Sequence, residues 1–248
     1  MKNLAILCFA LATLGVISSC KKLNPVTVTP TPTVDSLKVG LIAYYAFNGS
    51  VIDSSGRGNT GTPNNLTLTT DRNGKTNSAY HFDGTTSCDS VKDNADLRLN
   101  NTNFTLSAWV YLDSYNSSGN NILTKHIVGN NNGWAWGIIA TGVTFGPGGT
   151  SPTARGTKVV GLSQWHMVTV TYSVTTLKVS IYVDGVLDNV TSGIPSPPYT
   201  ITAALYIGRD NPGVSANGYF VRGSLDEIRI YNRALSLNDI QKLYTYKY

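Results

Sequence analysis

Cysteine is scarce in this sequence of 248 residues, which contains only three, at positions 8, 20 and 88. Two of them lie in the first twenty residues, so Cys88 is the single thiol in the rest of the chain. A disulfide framework is therefore excluded there, and no second cysteine is available to share a metal site. The sequence predicts a structural role for Cys88 as a partly buried thiol.

Charged residues are also few, at 13% of the chain, and neither sign is clustered. The formal net charge is +5, yet no basic run is interleaved with aromatic residues. This pattern argues against a nucleic-acid partner, because nucleic-acid binding requires a concentrated basic surface. Thr, Ser, Asn, Gly and Tyr are abundant instead, a composition typical of extracellular all-β proteins.

Long apolar segments are missing as well. The longest run, Leu4 to Ile17, is shorter than the roughly 20 residues that a membrane-spanning helix needs. Lys2 precedes this run and small residues follow it, which is the arrangement of a secretory signal peptide. We therefore expect the protein to be exported.

The end of the apolar run makes this expectation more specific. The tetrapeptide Ile17-Ser18-Ser19-Cys20 resembles a bacterial lipobox, in which the cysteine becomes the lipidated first residue of the mature protein. The alternative is an ordinary signal peptide that ends near a cysteine. We expect a lipid anchor on Cys20, and Lys21 directly after it favours the outer membrane.

The sequence thus divides into three parts. Residues 1–19 form the predicted signal peptide, and residues 20–36 form the lipidated cysteine with a Thr/Pro-rich linker. Prolines among threonines favour an extended backbone that has little to pack against. Residues 37–248 remain, and their roughly 210 residues are sufficient for one β-sandwich domain.

Period-two alternation dominates this domain. Apolar residues recur at every second position in three segments: Phe104 to Leu112, His166 to Tyr172, and Leu177 to Val183. Turn sequences such as Asp184-Gly185 separate the segments. Many short strands with such turns predict an all-β fold, a sandwich or jelly roll of antiparallel sheets.

One short helix is predicted near the C-terminus. Ser236 is a suitable N-cap, and Asp239 lies three residues later. The apolar residues of this segment share one helical face: Leu237, Ile240, Leu243 and Tyr244. We expect this helix to close one end of the sandwich.

Eight short motifs follow one another through the domain. They are Y-A-F-N-G from Tyr45, D-S-S-G-R-G-N-T-G from Asp53, Y-H-F-D-G from Tyr80, F-T-L-S-A-W-V from Phe104, W-H-M-V-T-V-T-Y from Trp165, I-Y-V-D-G from Ile181, L-Y-I-G from Leu205 and G-S-L-D-E-I-R-I-Y-N-R-A-L-S from Gly223. In this order they resemble the laminin-G-like, concanavalin-A-like jelly rolls of bacterial surface proteins. The resemblance implies a sandwich of two antiparallel sheets.

A candidate metal site involves the last strand motif. Asp226 is in phase with Ile228 and Ile230, so we expect its carboxylate to face the core, where it needs a partner. The loop from residue 48 to 59 is rich in oxygen ligands and glycines, which suit Ca²⁺.

The resemblance implies the same ion, because many of these jelly rolls carry a structural Ca²⁺ between the first loop and the last strand. The implied ligands are Asn48, Asp53, Asn59 and Asp226. The alternative is that Asn48 and Asp53 cap turns while Asp226 accepts backbone N–H groups.

A candidate sugar site lies in the middle of the chain. Trp134 and Trp136 are two residues apart and share one face of a strand, and Asn131 lies nearby. Exposed, the rings would form a platform for sugar stacking, with the asparagine supplying hydrogen bonds. Buried, they would be ordinary sandwich core. Trp109 and Trp165 lie within strand motifs and are predicted to be core.

An enzymatic role is disfavoured by the lack of glutamate. The resemblance includes β-glucanases, which commonly use two glutamates on one strand, whereas Glu227 is the only glutamate here. The leading hypothesis is a membrane-anchored module that binds a glycan or a glycosylated protein. The alternatives are a protein-interaction or scaffold domain of a surface assembly and, least favoured, a glycoside hydrolase. The oligomeric state is left open.

Overall fold

The computed structural model describes residues 35–127, 132–147, 153–198, 201–212 and 218–247. The predicted signal peptide, Cys20, most of the linker and Asn131 lie outside these residues. The described residues form fifteen strands, a short 3₁₀ helix (Ala95–Arg98) and one α-helix, α1 (Leu237–Thr245). The strands in chain order are β1 (Leu41–Tyr45), β2 (Gly61–Asn64), β3 (Thr67–Thr69), β4 (Ala79–Asp83), β5 (Cys88–Val91), β6 (Phe104–Leu112), β7 (Asn120–Ile127), β8 (Asn132–Ile139), β9 (Gly142–Pro147), β10 (Ala154–Arg155), β11 (Trp165–Ser173), β12 (Lys178–Val183), β13 (Val186–Ser192), β14 (Leu205–Ile207) and β15 (Arg222–Tyr231).

Two antiparallel sheets contain all of these strands. The first sheet has the order β13-β12-β11-β6-β15-β4-β3, and β1 pairs with the second half of β15. The second sheet has the order β10-β9-β8-β7-β14-β5-β2. The predicted sandwich of two antiparallel sheets with one short helix is thus confirmed.

The main core lies between the two sheets. Alternate residues of β6 and β11 point into it, as the period-two pattern predicts, and meet the inward residues of β8 and β9. Phe104 illustrates the contact between sheets, because its ring lies 5.0 Å from that of Tyr172 and 5.3 Å from that of Phe145 on the opposite sheet. The largest buried side chains include Trp134 and Trp136.

The expectation that helix α1 closes one end of the sandwich is wrong. Its buried residues Ile240 and Leu243 pack with Met167 and Tyr231 in a second apolar cluster, separate from the main core. Met167 and Tyr231 alternate with core residues along their strands, so they face away from the opposite sheet. The helix therefore covers the outer face of the first sheet. Ser236 caps it as predicted, its Oγ accepting the backbone N–H of Asp239 at 3.1 Å.

A β-bulge interrupts strand β15 between Asp226 and Arg229. The pairing of β15 with β6 shifts between Asp226, which lies opposite Trp109, and Arg229, which lies opposite Ser107. Two residues of β15 thus face one residue of β6. Glu227, within the bulge, has a φ of 56°, an uncommon left-handed conformation for a residue other than glycine. Asp226, Glu227 and Arg229 consequently share the outer face of the sheet.

The expectation that Asp226 faces the core with Ile228 and Ile230 is therefore wrong. Ile228 and Ile230 do belong to the main core. Asp226 lies on the other side of the sheet, because the extra residue of the bulge reverses the alternation between them.

Candidate functional site

The predicted sugar platform is part of the core. The side chains of Trp134 and Trp136 are both 0% exposed, and the Nε1 of Trp134 donates to the carbonyl oxygen of Leu97 at 3.2 Å. Their face of β8 meets the opposite sheet, while the outward face carries Ala135 and Gly137. Neither tryptophan can stack on a ligand, so their assignment as ligand-binding residues is wrong and the core alternative is correct.

Two of the four predicted calcium ligands do lie together. The carboxylate of Asp53 accepts backbone N–H groups of Tyr44, Ser55 and Asn59, each at 2.9 Å, and the hydroxyl of Ser55. Asn59 donates through Nδ2 to the carbonyl oxygen of Ile42 at 2.7 Å. Its Oδ1 accepts a hydrogen bond from Asn94. These oxygens receive hydrogen-bond donors, as the turn-capping alternative predicts.

The other two predicted ligands contact different groups. Asn48 is exposed and accepts a hydrogen bond from Lys75 Nζ at 3.2 Å. Asp226 forms an ion pair of 2.8 Å with Arg72. The four residues as placed do not fit a calcium ion, because Ca²⁺ needs six to eight free oxygens around one point. Within the part of the chain that the structure describes, no three His, Cys, Asp or Glu side chains could hold a metal.

A pocket on the outer face of the first sheet offers better binding chemistry. Its volume is ≈ 440 Å³, and we call it the tryptophan pocket. The residues that line it include Arg72, Asn73, Trp109, Trp165, Tyr244 and Tyr246. Trp109 and Trp165, which were predicted to be core, thus lie outside the main core and beside α1.

The two tryptophans of this pocket differ in access. Trp109 is held between the guanidinium of Arg72, 4.6 Å from the ring centre, and the ring of Tyr244, stacked at 5.5 Å and 14°. Trp165 is partly exposed, and its ring lies 5.7 Å from that of Tyr111 at 60°. Of the two tryptophans, Trp165 is therefore the one that a ligand can reach, and Trp109 is a buried part of the pocket lining.

Polar side chains lie next to Trp165 on the neighbouring strands of the same sheet. Across neighbouring strands, Trp165 lies opposite Tyr111, Tyr111 opposite Ser224, and Ser224 opposite His81. The imidazole Nε2 of His81 lies 3.0 Å from Asp113 Oδ2, with both side chains largely exposed. Rings beside groups that donate and accept hydrogen bonds are the usual lining of a small-molecule site.

A second pocket of ≈ 360 Å³ lies on the same face, and we call it the arginine pocket. Its lining includes Lys38, Tyr44, Ser54, Ser55, Arg229 and Tyr246. Arg229 is packed between two phenol rings, 4.1 Å from the centre of Tyr44 and 5.4 Å from that of Tyr246. Tyr246 thus contributes to both pockets.

The bulge carboxylates neutralise the two buried arginines. Asp226 pairs with Arg72, while Glu227 pairs with Arg229 and accepts the hydroxyl of Tyr44 at 2.8 Å. Burial and the neighbouring Glu227 carboxylate raise the pKa of Asp226 above its usual range, and the guanidinium of Arg72 opposes the rise. Both carboxylates are only 1% exposed, so they support the pocket walls and do not reach a ligand.

Sequence reasoning missed this site although a signal was present. The core stripe of β6 runs through Leu106, Ala108 and Val110, and Trp109 is out of phase with it. Trp165 is likewise out of phase with Val168 and Val170. Both tryptophans belong to strand motifs, but the alternation along these strands places their rings on the outer face.

No helix among the described residues is long and apolar enough to cross a membrane. No curated protein sequence matches the chain. A model of one family does match, over residues 83–241, and its description is concanavalin A-like lectin/glucanases superfamily.

Several solved structures have a similar fold. Domain 4 of a GH43 extracellular arabinanase from Geobacillus stearothermophilus, in complex with arabinotriose, is 21% identical at a TM-score of 0.65, covering 83% of this chain and 98% of that chain. The binding domain of Paraclostridial Mosquitocidal Protein 1 is 17% identical at 0.66, covering 84% of this chain and 52% of that one. The binding domain of Botulinum Neurotoxin DC in complex with SialylT is 16% identical at 0.62, with coverage of 84% and 52%. The chain therefore spans about half of each toxin domain.

These identities show a shared fold alone, whereas the family model covers most of the domain. By that match, and by its two antiparallel sheets, the chain belongs to the concanavalin A-like lectin/glucanases superfamily.

Proposed function

We propose that this protein is a glycan-binding module whose site is the tryptophan pocket on the outer face of the first sheet. The observation that carries the proposal is the partly exposed ring of Trp165, set beside Tyr111 and the polar side chains of Arg72 and Asn73. A sugar presents an apolar C–H face to such a ring and hydroxyl groups to its polar neighbours. Two proteins of similar fold were solved with arabinotriose and with SialylT, which supports a glycan as the ligand class.

The test is binding of the full chain, solubilised in detergent, to a panel of polysaccharides that includes arabinan and sialylated glycans. Trp165→Ala is expected to lower the affinity at least about 10-fold, since a ring in a ligand contact contributes on the order of 1.4 kcal/mol. Tyr206→Ala is the matched control, because Tyr206 is a partly exposed aromatic residue of the second sheet. Equal loss in both variants, or no binding to any glycan, would reject the proposal.

We propose further that the module is exported and held at a membrane by lipid on Cys20. The motif Ile17-Ser18-Ser19-Cys20 and the Thr/Pro-rich segment after it support this placement. One acyl chain gives only marginal anchoring, whereas two or more hold firmly. Cys20→Ser is expected to abolish labelling by a clickable palmitate analogue and to move the protein from the membrane to the soluble fraction. Cys88→Ser is the control and is expected to leave both readouts unchanged.

A protein-interaction role is the second candidate, and one observation favours it. Strand β13 lies at the edge of the first sheet and exposes Val186, Leu187 and Val190 at 54%, 49% and 43%. Apolar side chains on an edge strand can pair with another chain. Under this alternative, Leu187→Lys would disrupt a complex recovered from detergent-solubilised membranes, and Trp165→Ala would not.

A further inference from the structure

Tyr246 lies between the two pockets on the outer face of the first sheet. It lines both the tryptophan pocket and the arginine pocket, and its side chain is 42% exposed. The two pockets are therefore adjacent compartments with one shared aromatic residue. Each has a volume within the range of about 300 to 1,000 Å³ that small-ligand sites occupy.

Hydrogen bonds of its backbone position Tyr246, and the guanidinium of a buried arginine lies near its ring. The Nη2 of Arg72 donates to its carbonyl oxygen at 2.9 Å, and its own N–H reaches the carbonyl oxygen of Leu243 at 3.4 Å. The guanidinium of Arg229 lies 5.4 Å from its ring centre. Because the backbone of Tyr246 is already restrained by these hydrogen bonds, ligand binding has only the side chain left to order.

The bulge in β15 supplies the counter-charges for this arrangement. Arg72 is paired with Asp226 and Arg229 with Glu227, so two successive residues of one strand hold the two arginines that contact Tyr246. A regular strand would direct Asp226 and Glu227 to opposite faces of the sheet. The left-handed φ of Glu227 brings both to the outer face. Strain of this kind persists where surrounding contacts over-determine it, and it is common at binding sites.

We propose that Tyr246 is the central stacking residue of an extended site, and that the ligand is an oligosaccharide long enough to occupy both pockets at once. This inference rests on the proposed glycan-binding function and specifies its ligand class. One sugar ring lies on the exposed phenol of Tyr246. The preceding unit enters the tryptophan pocket beside Trp165 and Asn73, and the following unit enters the arginine pocket beside Ser54 and Ser55.

The polar groups differ between the compartments and give the chain a direction. Asn73 and Lys247 lie on one side of Tyr246, and Lys38 with the two serines lies on the other. A single sugar residue can use one compartment only. A longer oligosaccharide gains the second set of contacts without paying again for the loss of its overall translational and rotational freedom.

The test measures how the affinity depends on the length of the oligosaccharide, in the wild type and in variants of Tyr246. Calorimetric titration of the full chain in detergent uses arabinan-derived oligosaccharides of about two to six units, and the matching ladder from any other polysaccharide that the panel finds bound. Affinity is expected to rise with length in the wild type. Tyr246→Ala is expected to weaken binding of the longest ligand about 5-fold and that of the shortest one hardly at all, since an aromatic contact contributes about 1 kcal/mol. Tyr246→Phe keeps the ring and is expected to retain the length dependence.

The outcomes separate this inference from the function on which it rests. Binding that depends on Trp165 but not on ligand length or on Tyr246 would overturn the extended site and leave the glycan-binding function standing. No binding to any oligosaccharide would overturn both. An equal loss for short and long ligands in Tyr246→Ala, with an unchanged melting temperature, would also overturn the central position of Tyr246.

Discussion

Asp226 lies directly opposite Trp109 across the pairing of β15 with β6, on the face of the sheet that points away from the main core. The arginine that neutralises Asp226 also packs over the ring of Trp109, so Arg72 links the two residues. A carboxylate on a sheet face that is covered by a helix and a loop can be as buried as one in the sandwich core. Asp226 is accordingly 1% exposed although it does not face the opposite sheet.

The bulge thereby connects the backbone of one strand with the walls of two pockets. Without the additional residue, Asp226 and Arg229 would face opposite sides of the sheet, being three residues apart. With it, their side chains and that of Glu227 share one side and meet Arg72, Tyr44 and Tyr246. The shape of these two pockets thus depends on a local departure from regular strand geometry, and β-bulges are common next to binding sites.

Removal of the Glu227 carboxylate should destabilise the protein strongly. Glu227→Ala leaves the guanidinium of Arg229 buried without its counter-ion, and breaking a buried pair in this way costs about 3 to 5 kcal/mol. The double variant Glu227→Ala/Arg229→Met is expected to recover much of the loss, because it removes both charges. Urea denaturation measures the free energies of unfolding. A double variant as unstable as the single one would show that the charge pair is not the cause.

The two kinds of tryptophan should respond differently to truncation. Trp134→Ala creates a cavity in the main core and is expected to cost about 3 to 5 kcal/mol. Trp165→Ala removes a partly exposed ring and is expected to cost about 1 kcal/mol or less. Thermal unfolding of both variants under the same conditions measures the contrast. Similar losses in the two would contradict the placement of Trp165 on the outer face.

Much of the fold could be predicted because its strands keep a regular alternation. The stripes through Phe104 to Leu112 and His166 to Tyr172 identify the inward faces of β6 and β11 correctly. The same alternation also predicts that Trp109 and Trp165 lie on the outer face of the sheet, because both are out of phase with the core residues of their strands. The Ser236 cap marked the start of α1, yet its sequence did not reveal which surface the helix covers, because that depends on contacts with Met167 and Tyr231, which are distant in the chain.

The candidate site was harder to predict because a bulge leaves little trace in a single sequence. Glutamate does not favour positive φ, so the residue type at position 227 does not indicate that the alternation of inward and outward side chains along β15 reverses there. The loop from residue 48 to 59 presents the opposite difficulty. Its asparagine and aspartate side chains suit both a metal and a set of capped turns, and only the placement of the donors around Asp53 distinguishes them.

Chelation of metal ions should leave the melting temperature unchanged. The Asp53 oxygens already accept protein donors, and Asp226 is paired through its Oδ2 with Arg72, so the two carboxylates do not offer Ca²⁺ a shared set of free oxygens in this arrangement. Thermal unfolding with EDTA and with excess Ca²⁺ provides the measurement. A Tm that rises with Ca²⁺ and falls with EDTA would mean that the ion stabilises the folded state, and Asp53→Asn would then locate the site.

A buried carboxylate on β5 should make the stability depend on pH. Asp89 is 0% exposed, and neither of its oxygens forms a hydrogen bond of normal geometry with a donor among the described residues. Burial raises the pKa of Asp89 to about 7, and the backbone N–H groups of Ser90 and Thr62 lower it only in part. The unfolded chain releases this proton near pH 4, whereas the folded protein holds it until about pH 7.

The sign of the dependence follows from this difference. The contribution of Asp89 to the free energy of unfolding is fully present below its pKa in the unfolded chain. It is lost as the pH rises through its pKa in the folded protein, so stability should fall from about pH 4 to about pH 8. At about 1.4 kcal/mol for each pKa unit, the loss is at most about 4 kcal/mol. Asp89→Asn should flatten this decline, and the exposed Asp96→Asn should not. The readout is the slope of the unfolding free energy with pH. The comparison with the wild type therefore remains valid even if the asparagine itself changes the stability at every pH. An unchanged slope in Asp89→Asn would place the titration on another group. Asp226, whose pKa burial also raises, would then be the next residue to replace.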